Sequence, residues 1–100
     1  MDADGYPDNE ELQKIRDWSF SDFTGLMEFI YGIWEYASPN PGWCGWKQKG
    51  RIYWLHTGGW SGNESIISAM QDNFIFWSMC WVSSRRGGHY KFHVPIIKIK

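Results

Sequence analysis

One hundred residues, 43% hydrophobic and 21% charged, make one domain (residues 1–100) with enough apolar mass for a core, and exclude a disordered chain. The net charge of −1 gives no support to general nucleic-acid binding, and speaks equally against an acidic mimic of DNA. The longest apolar run, Phe74–Val82, is too short to span a bilayer, so no membrane partner is expected. Two cysteines and an acidic, polar N-terminus without a leader pattern fit a reduced, cytoplasmic protein, although one disulfide between Cys44 and Cys80 stays open.

The small net charge hides two opposed halves. Residues 1–41 carry nine acids and two bases, a net of −7, whereas residues 42–100 carry eight bases and two acids, a net of +6. An acidic helical part resting on a basic, aromatic-rich β part would neutralise it; a basic face left uncovered would instead suit a phosphate-bearing partner. Eight Trp, five Tyr and six Phe are many for so small a core, so a few are expected at the surface.

In chain order, Met1–Pro7 reads as a frayed arm. Asp8 with Glu11 is an acidic capping box for a first helix, carrying Leu12 and Ile15 at helical spacing. Ser19 with Asp22 repeats the signal for a helix over Phe20–Ala37, whose stripe is Phe23, Leu26, Met27, Ile30, Ile33, Trp34 and Ala37. Gly25 and Gly32 lie on nearly one side and would allow the sheet to approach. Ser38-Pro39-Asn40-Pro41-Gly42 stops the helix. Trp43–Gln48 and Arg51–Thr57 read as a hairpin around Lys49-Gly50, with Ile52, Trp54 and His56 on one face of the second strand and Tyr53, Leu55 and Thr57 on the other.

A short helix over Glu64–Gln71 follows, with Asn63 as its N-cap and Asn73 as a left-handed residue at its end. Phe76–Ser83 is predicted as a strand, Ser84–Gly88 as a loop, and His89–Val94 as a strand with Tyr90, Phe92 and Val94 on one face and His89, Lys91 and His93 on the other. Ile96–Lys100 is a short tail, either edge strand or unstructured. The expected fold is α+β: an N-terminal helix or helix pair on a roughly four-stranded antiparallel sheet, with one short inserted helix.

Two segments can carry chemistry. Thr57-Gly58-Gly59-Trp60-Ser61-Gly62-Asn63 leads from a strand into a helix; its glycines allow close backbone approach, and the helix start favours an anion. It is equally an ordinary turn, it lacks the terminal Lys of a P-loop, and Glu64 would repel an anion set too close. Arg85 and Arg86, followed by Gly87-Gly88-His89, offer bidentate contacts to phosphate or carboxylate, or are simply solvated charges. If the sheet order brings both segments to one end, Arg85, Arg86, His89 and a stacking Trp60 make one pocket.

Other chemistry is poorly supported. Cys44, His56, Cys80, His89 and His93 match no close-pair metal spacing, and His89 and His93 on one strand stand about 13 Å apart, so no metal and no cofactor are expected. Cys80 reads as an inert core thiol. Gly59-Trp60-Ser61-Gly62-Asn63 departs from a nucleophile elbow, and no catalytic residue is assigned.

The segments Thr57-Gly58-Gly59-Trp60-Ser61-Gly62-Asn63-Glu64, Phe76-Trp77, Cys80-Trp81 and Arg86-Gly87-Gly88-His89-Tyr90 together resemble a group of small proteins of bacteriophages and prophages, over residues 51–95 or so. The resemblance implies a setting, the host cytoplasm, and action by binding, with counter-defence among the roles. The expected function is therefore a non-enzymatic binding protein holding an anionic small molecule such as a nucleotide, through Thr57, Gly58, Gly59, Trp60, Ser61, Gly62, Asn63, Arg85, Arg86 and His89. The alternatives are an inhibitor that docks an aromatic surface on a host or defence protein, as a homodimer, and a small hydrolase.

Overall fold

In the computed structural model, residues 7–34, 44–57 and 61–95 are described. The first helix, α1 (Asn9–Arg16), opens on the expected capping box: Asp8 N–H donates to Glu11 Oε1 at 3.0 Å, and Glu11 N–H to Asp8 Oδ1 at 2.8 Å. That second bond holds the Asp8 carboxyl below its ordinary range.

The next helix is shorter than its periodicity implies. Phe20–Asp22 is a 3₁₀ turn capped by Ser19, and α2 (Phe23–Ile33) begins only at Phe23. Asp22 is not the far end of a capping box but the N-cap itself, its Oδ1 accepting from Gly25 N–H at 3.0 Å. Gly25 serves this cap rather than the sheet, since a Cβ there would collide with the Asp22 carboxylate; Gly32 has open space around its Cα. At the other end Trp34 turns extended, with ψ 122°, and its ring meets Trp46 edge-on at 5.9 Å. The apolar stripe from Phe23 to Trp34 is wholly buried, as its spacing requires. Ala37 and the Ser38–Gly42 stop lie outside the described residues.

The sheet has four antiparallel strands, β1 (Cys44–Lys49), β2 (Ile52–Thr57), β3 (Trp81–Arg85) and β4 (His89–His93), in the order β1-β2-β4-β3. Two hairpins thus join through their β2 and β4 strands. The first hairpin turns at Gly50, φ 60°, closing on the pair Lys49↔Ile52. Burial alternates along β2 as the sequence indicates: Tyr53, Leu55 and Thr57 face the core. Trp46, Phe92 and Val94 join them from the other strands and the end of β4, under Ile15, the α2 stripe and the residues of the remaining helices.

Between the hairpins the chain departs most from expectation. Helix α3 (Ser61–Asp72) starts two residues before Asn63, so Asn63 lies within the first turn rather than capping it. The predicted strand over Phe76–Ser83 is instead helix α4 (Phe74–Cys80) followed by β3. Phe76 and Cys80, four apart, are fully buried, whereas Ser78 between them is exposed, which is helical burial and not alternation. Asn73 has a negative φ, −81° with ψ 86°, and caps α4 by accepting from Phe76 N–H at 3.1 Å; it does not close α3 in a left-handed conformation. The chain is α+β, with helices preceding and separating the two hairpins of the sheet.

Candidate functional site

The pairing of β2 with β4 brings Thr57, at the start of one glycine-rich segment, beside the other. His56 is opposite His89, so the C-terminal end of β2 adjoins the loop that feeds β4. Thr57 N–H donates to Gly88 O at 2.9 Å, extending the ladder one step beyond the strands. The loop Arg86-Gly87-Gly88 turns with φ 90° at Gly87 and 79° at Gly88, a left-handed conformation that suits glycine. Gly88 is required for a second reason: a Cβ there would collide with Thr57 Oγ1.

The predicted site residues separate into two groups at this end of the sheet. Thr57 and Asn63, each 1% exposed, are built into the fold. The Thr57 N–H is committed to Gly88, and Asn63 Nδ2 donates to Thr57 O at 3.5 Å, tying the first turn of α3 to the end of β2. Gly62 is buried and Ser61 exposed at the helix start. Arg85, opposite His89, and Arg86, in the turn, are exposed, and His89 is half-buried. Gly58, Gly59 and Trp60 lie outside the described residues.

His56 is a member of this cluster that sequence reasoning did not place. Its Nδ1 lies 2.7 Å from His89 Nδ1, with the rings edge-to-face at 4.9 Å. One Nδ1 must donate and the other accept, so the bond needs at least one ring unprotonated at that atom. Burial pushes the His56 pKa below its ordinary value, and the neighbouring His89 and Arg85 add to the shift. The strand alternation already set His56 on one outer face and His89 on another; only the β2–β4 pairing joins them.

That shift has a consequence for stability. The unfolded chain takes up a proton near the ordinary value of 6.5, before folded His56 does. Stability is therefore expected to be level above that pH and to fall as pH drops from there through the depressed folded value. Urea midpoints between about pH 8 and pH 5 check this, with His56→Gln expected to flatten the fall. An equal fall in wild type and variant would contradict it.

Cys80 is a buried free thiol, and burial pushes its pKa up to about 12, which removes it as a nucleophile. Among the described residues no three metal-ligating side chains gather, and no helix is long and apolar enough to cross a membrane. A separate cleft of roughly 200 Å³ lies between α2 and the first hairpin, lined by Thr24, Glu28, Tyr31, Trp46, Gln48 and Tyr53 among others. There Gln48 Nε2 donates to Tyr53 Oη at 3.2 Å, and burial, then the Glu28 charge, raises the Tyr53 pKa. It lies away from the arginine loop, and none of the predicted site residues lines it.

Comparison with protein-family models, with curated proteins and with solved structures found no match.

Proposed function

We propose that this is a non-enzymatic binding protein of bacteriophage type, acting in the host cytoplasm, that holds an anionic small ligand, a nucleotide, where the β3–β4 loop meets the end of β2. The observation that supports it is the Thr57 N–H to Gly88 O bond at 2.9 Å, with the His56–His89 contact beside it. These join the Arg85–Arg86 loop to the segment that enters α3. Arg85 and Arg86 supply charge and bidentate donors, His89 a further hydrogen bond, and the Gly58–Trp60 segment backbone donors and a stacking ring. Counter-defence, by sequestering a signalling nucleotide, is the role this reading suits.

A panel of linear and cyclic nucleotides tested by thermal shift is expected to include one that stabilises the protein, by about 2.7 kcal/mol at a hundredfold excess over Kd. Arg85→Ala with Arg86→Ala should weaken that ligand about tenfold or more, since hydrogen bonds to charged groups are worth about 1.5–3 kcal/mol. A flat panel, or a shift that survives the double substitution, would overturn the assignment.

One observation favours a second reading, an inhibitor that docks on a host or defence protein as a homodimer. Phe74 is 78% exposed, and Ile75, Met79, Trp81 and Val82 are also exposed along α4 and the start of β3. Apolar exposure of this kind marks association surfaces. A flat nucleotide panel together with self-association that Phe74→Glu abolishes would move the assignment to this reading; a monomer at all concentrations would count against the homodimer.

A further inference from the structure

The folded chain separates its charges by layer, which the net charge conceals. Strands β1 to β4 contain no Asp or Glu. The described acids, from Asp8 to Asp72, all lie in or beside the helices and the 3₁₀ turn. Among the described residues, the ion pair Arg16–Asp72, at 3.1 Å, belongs to that helical layer too. Among the described residues, Lys47, Lys49, Arg85 and Lys91 of the strands make no ion pair with it.

Strand register shows where those bases go. The helices pack on the face that carries Trp46, Tyr53, Leu55 and Phe92. On the opposite face the pairs Lys47↔Trp54, Trp54↔Lys91 and Ser83↔Lys91 make one row across all four strands. Next to it run Lys49, Ile52 and His93 on one side and His56, His89 and Arg85 on the other. Lys47, Lys49, Arg85 and His93 are exposed, and Trp54 and Lys91 half-buried. Trp54 sits at the centre with Lys47 Nζ 5.2 Å and Lys91 Nζ 5.8 Å from its ring centroid. Adjacent strands stand about 4.8 Å apart, so the central row spans roughly 14 Å.

We infer that this face, opposite the described helices, binds single-stranded nucleic acid. Four fixed cations with no carboxylate among them complement a phosphate backbone, and an aromatic ring between two of them complements a base. The strand must be single: a base in a duplex is already stacked, and Trp54 needs an uncovered base face. Stacking and backbone charge are sequence-tolerant, so RNA and DNA of any composition fit the same chemistry. The surface adjoins the nucleotide site proposed above, shares Arg85, His89 and His56 with it, and extends across the sheet to Lys91, Trp54 and Lys47. The net charge that argued against nucleic-acid binding does not apply to this face, because the described acids lie on the other layer.

Fluorescence anisotropy with labelled oligo-dT and oligo-U of about twelve nucleotides, within the usual footprint of such surfaces, tests this. Neutralising four phosphates predicts a log–log salt slope of about −2.8, a loss on the order of 50-fold between about 50 and 200 mM salt. Trp54→Ala is expected to weaken binding about 5-fold or more. Lys47→Gln with Lys91→Gln, which leaves the ring in place, should make the slope shallower by about 1.4. Lys14→Gln, in α1 on the helical layer, should leave oligonucleotide affinity within twofold, or about 0.4 kcal/mol, and Arg86→Ala should weaken a mononucleotide. The two proposals therefore fail separately. No binding at low salt overturns the inference, as does an unchanged affinity in both the Trp54 and the lysine variants. Equal competition by inorganic polyphosphate or by anionic vesicles overturns it as well, because either would assign the face to charge alone.

Discussion

Asn73→Ala is expected to destabilise the protein by about 3 kcal/mol, lowering Tm by roughly 15 °C for a domain of this size. The residue is buried and its side chain makes three hydrogen bonds. Oδ1 accepts from Phe76 N–H at 3.1 Å, capping α4. Nδ2 donates to Ile15 O at 2.9 Å and to Trp18 O at 3.2 Å, the carbonyls with which α1 ends and the next turn begins. Alanine removes the cap, worth about 1 kcal/mol, and leaves two carbonyls without that donor, at about 1 kcal/mol or more each. Serine restores an acceptor for the cap but no amide donor, so Asn73→Ser should recover about 1 kcal/mol of the loss. Urea denaturation of the three proteins checks the order Asn, Ser, Ala. A loss below about 1 kcal/mol for alanine would mean that the α1 contacts carry nothing beyond an ordinary cap.

Asn73 also shows why the pattern in the middle of the chain does not reveal its structure. Between Phe74 and Val82 the residues Phe76, Trp77, Cys80 and Trp81 satisfy a period of two nearly as well as one of 3.6, so hydrophobic pattern alone could not choose. The choice is made by bonds from Asn73 to Ile15 and Trp18, more than fifty residues away, which fix the start of α4 where a turn was expected. The α2 stripe needed no such help: six apolar residues at helical spacing leave one face for the core, and all six are buried. Its ends were less legible, because Asp22 caps from within the expected helix and Trp34 leaves it to reach Trp46.

The site was legible in the same uneven way. Gly87, Gly88 and the arginines announced an exposed turn, and the alternation of β2 and β4 assigned every side chain in them to its proper face. What local pattern could not hold was the order β1-β2-β4-β3, in which two strands separated by two helices and a third strand become neighbours. That single adjacency creates the His56–His89 contact, the Thr57–Gly88 bond and the Lys47-Trp54-Lys91 row. It also changes the standing of Thr57: read as a donor to a ligand, its N–H serves the sheet.

Gly88→Ala is expected to cost about 3 kcal/mol and to disturb the arginine loop along with the fold. Two terms contribute. At φ 79° an L-residue pays about 1–2 kcal/mol for its Cβ, and that Cβ would also meet Thr57 Oγ1 in collision and Thr57 Cβ at 3.1 Å. Thr57 cannot swing clear, because it is buried between the sheet and α3 and its carbonyl accepts from Asn63. The loop must therefore move, which breaks the Thr57 N–H to Gly88 O bond and separates Arg86 from the end of β2. Gly50→Ala supplies the reference: φ is 60° but nothing lies within 4 Å of the added Cβ, so only the backbone term of about 1 kcal/mol remains. A double-mutant cycle with Thr57→Ala separates the terms. Removing Oγ1 relieves the collision but not the backbone strain, so the double variant should be more stable than the sum of the single losses by about 1 kcal/mol or more. Additive losses would show that Thr57 and Gly88 do not press on each other. The chain would then owe its glycine there to backbone conformation alone, and the contact between the two glycine-rich segments would be looser than their hydrogen bond implies.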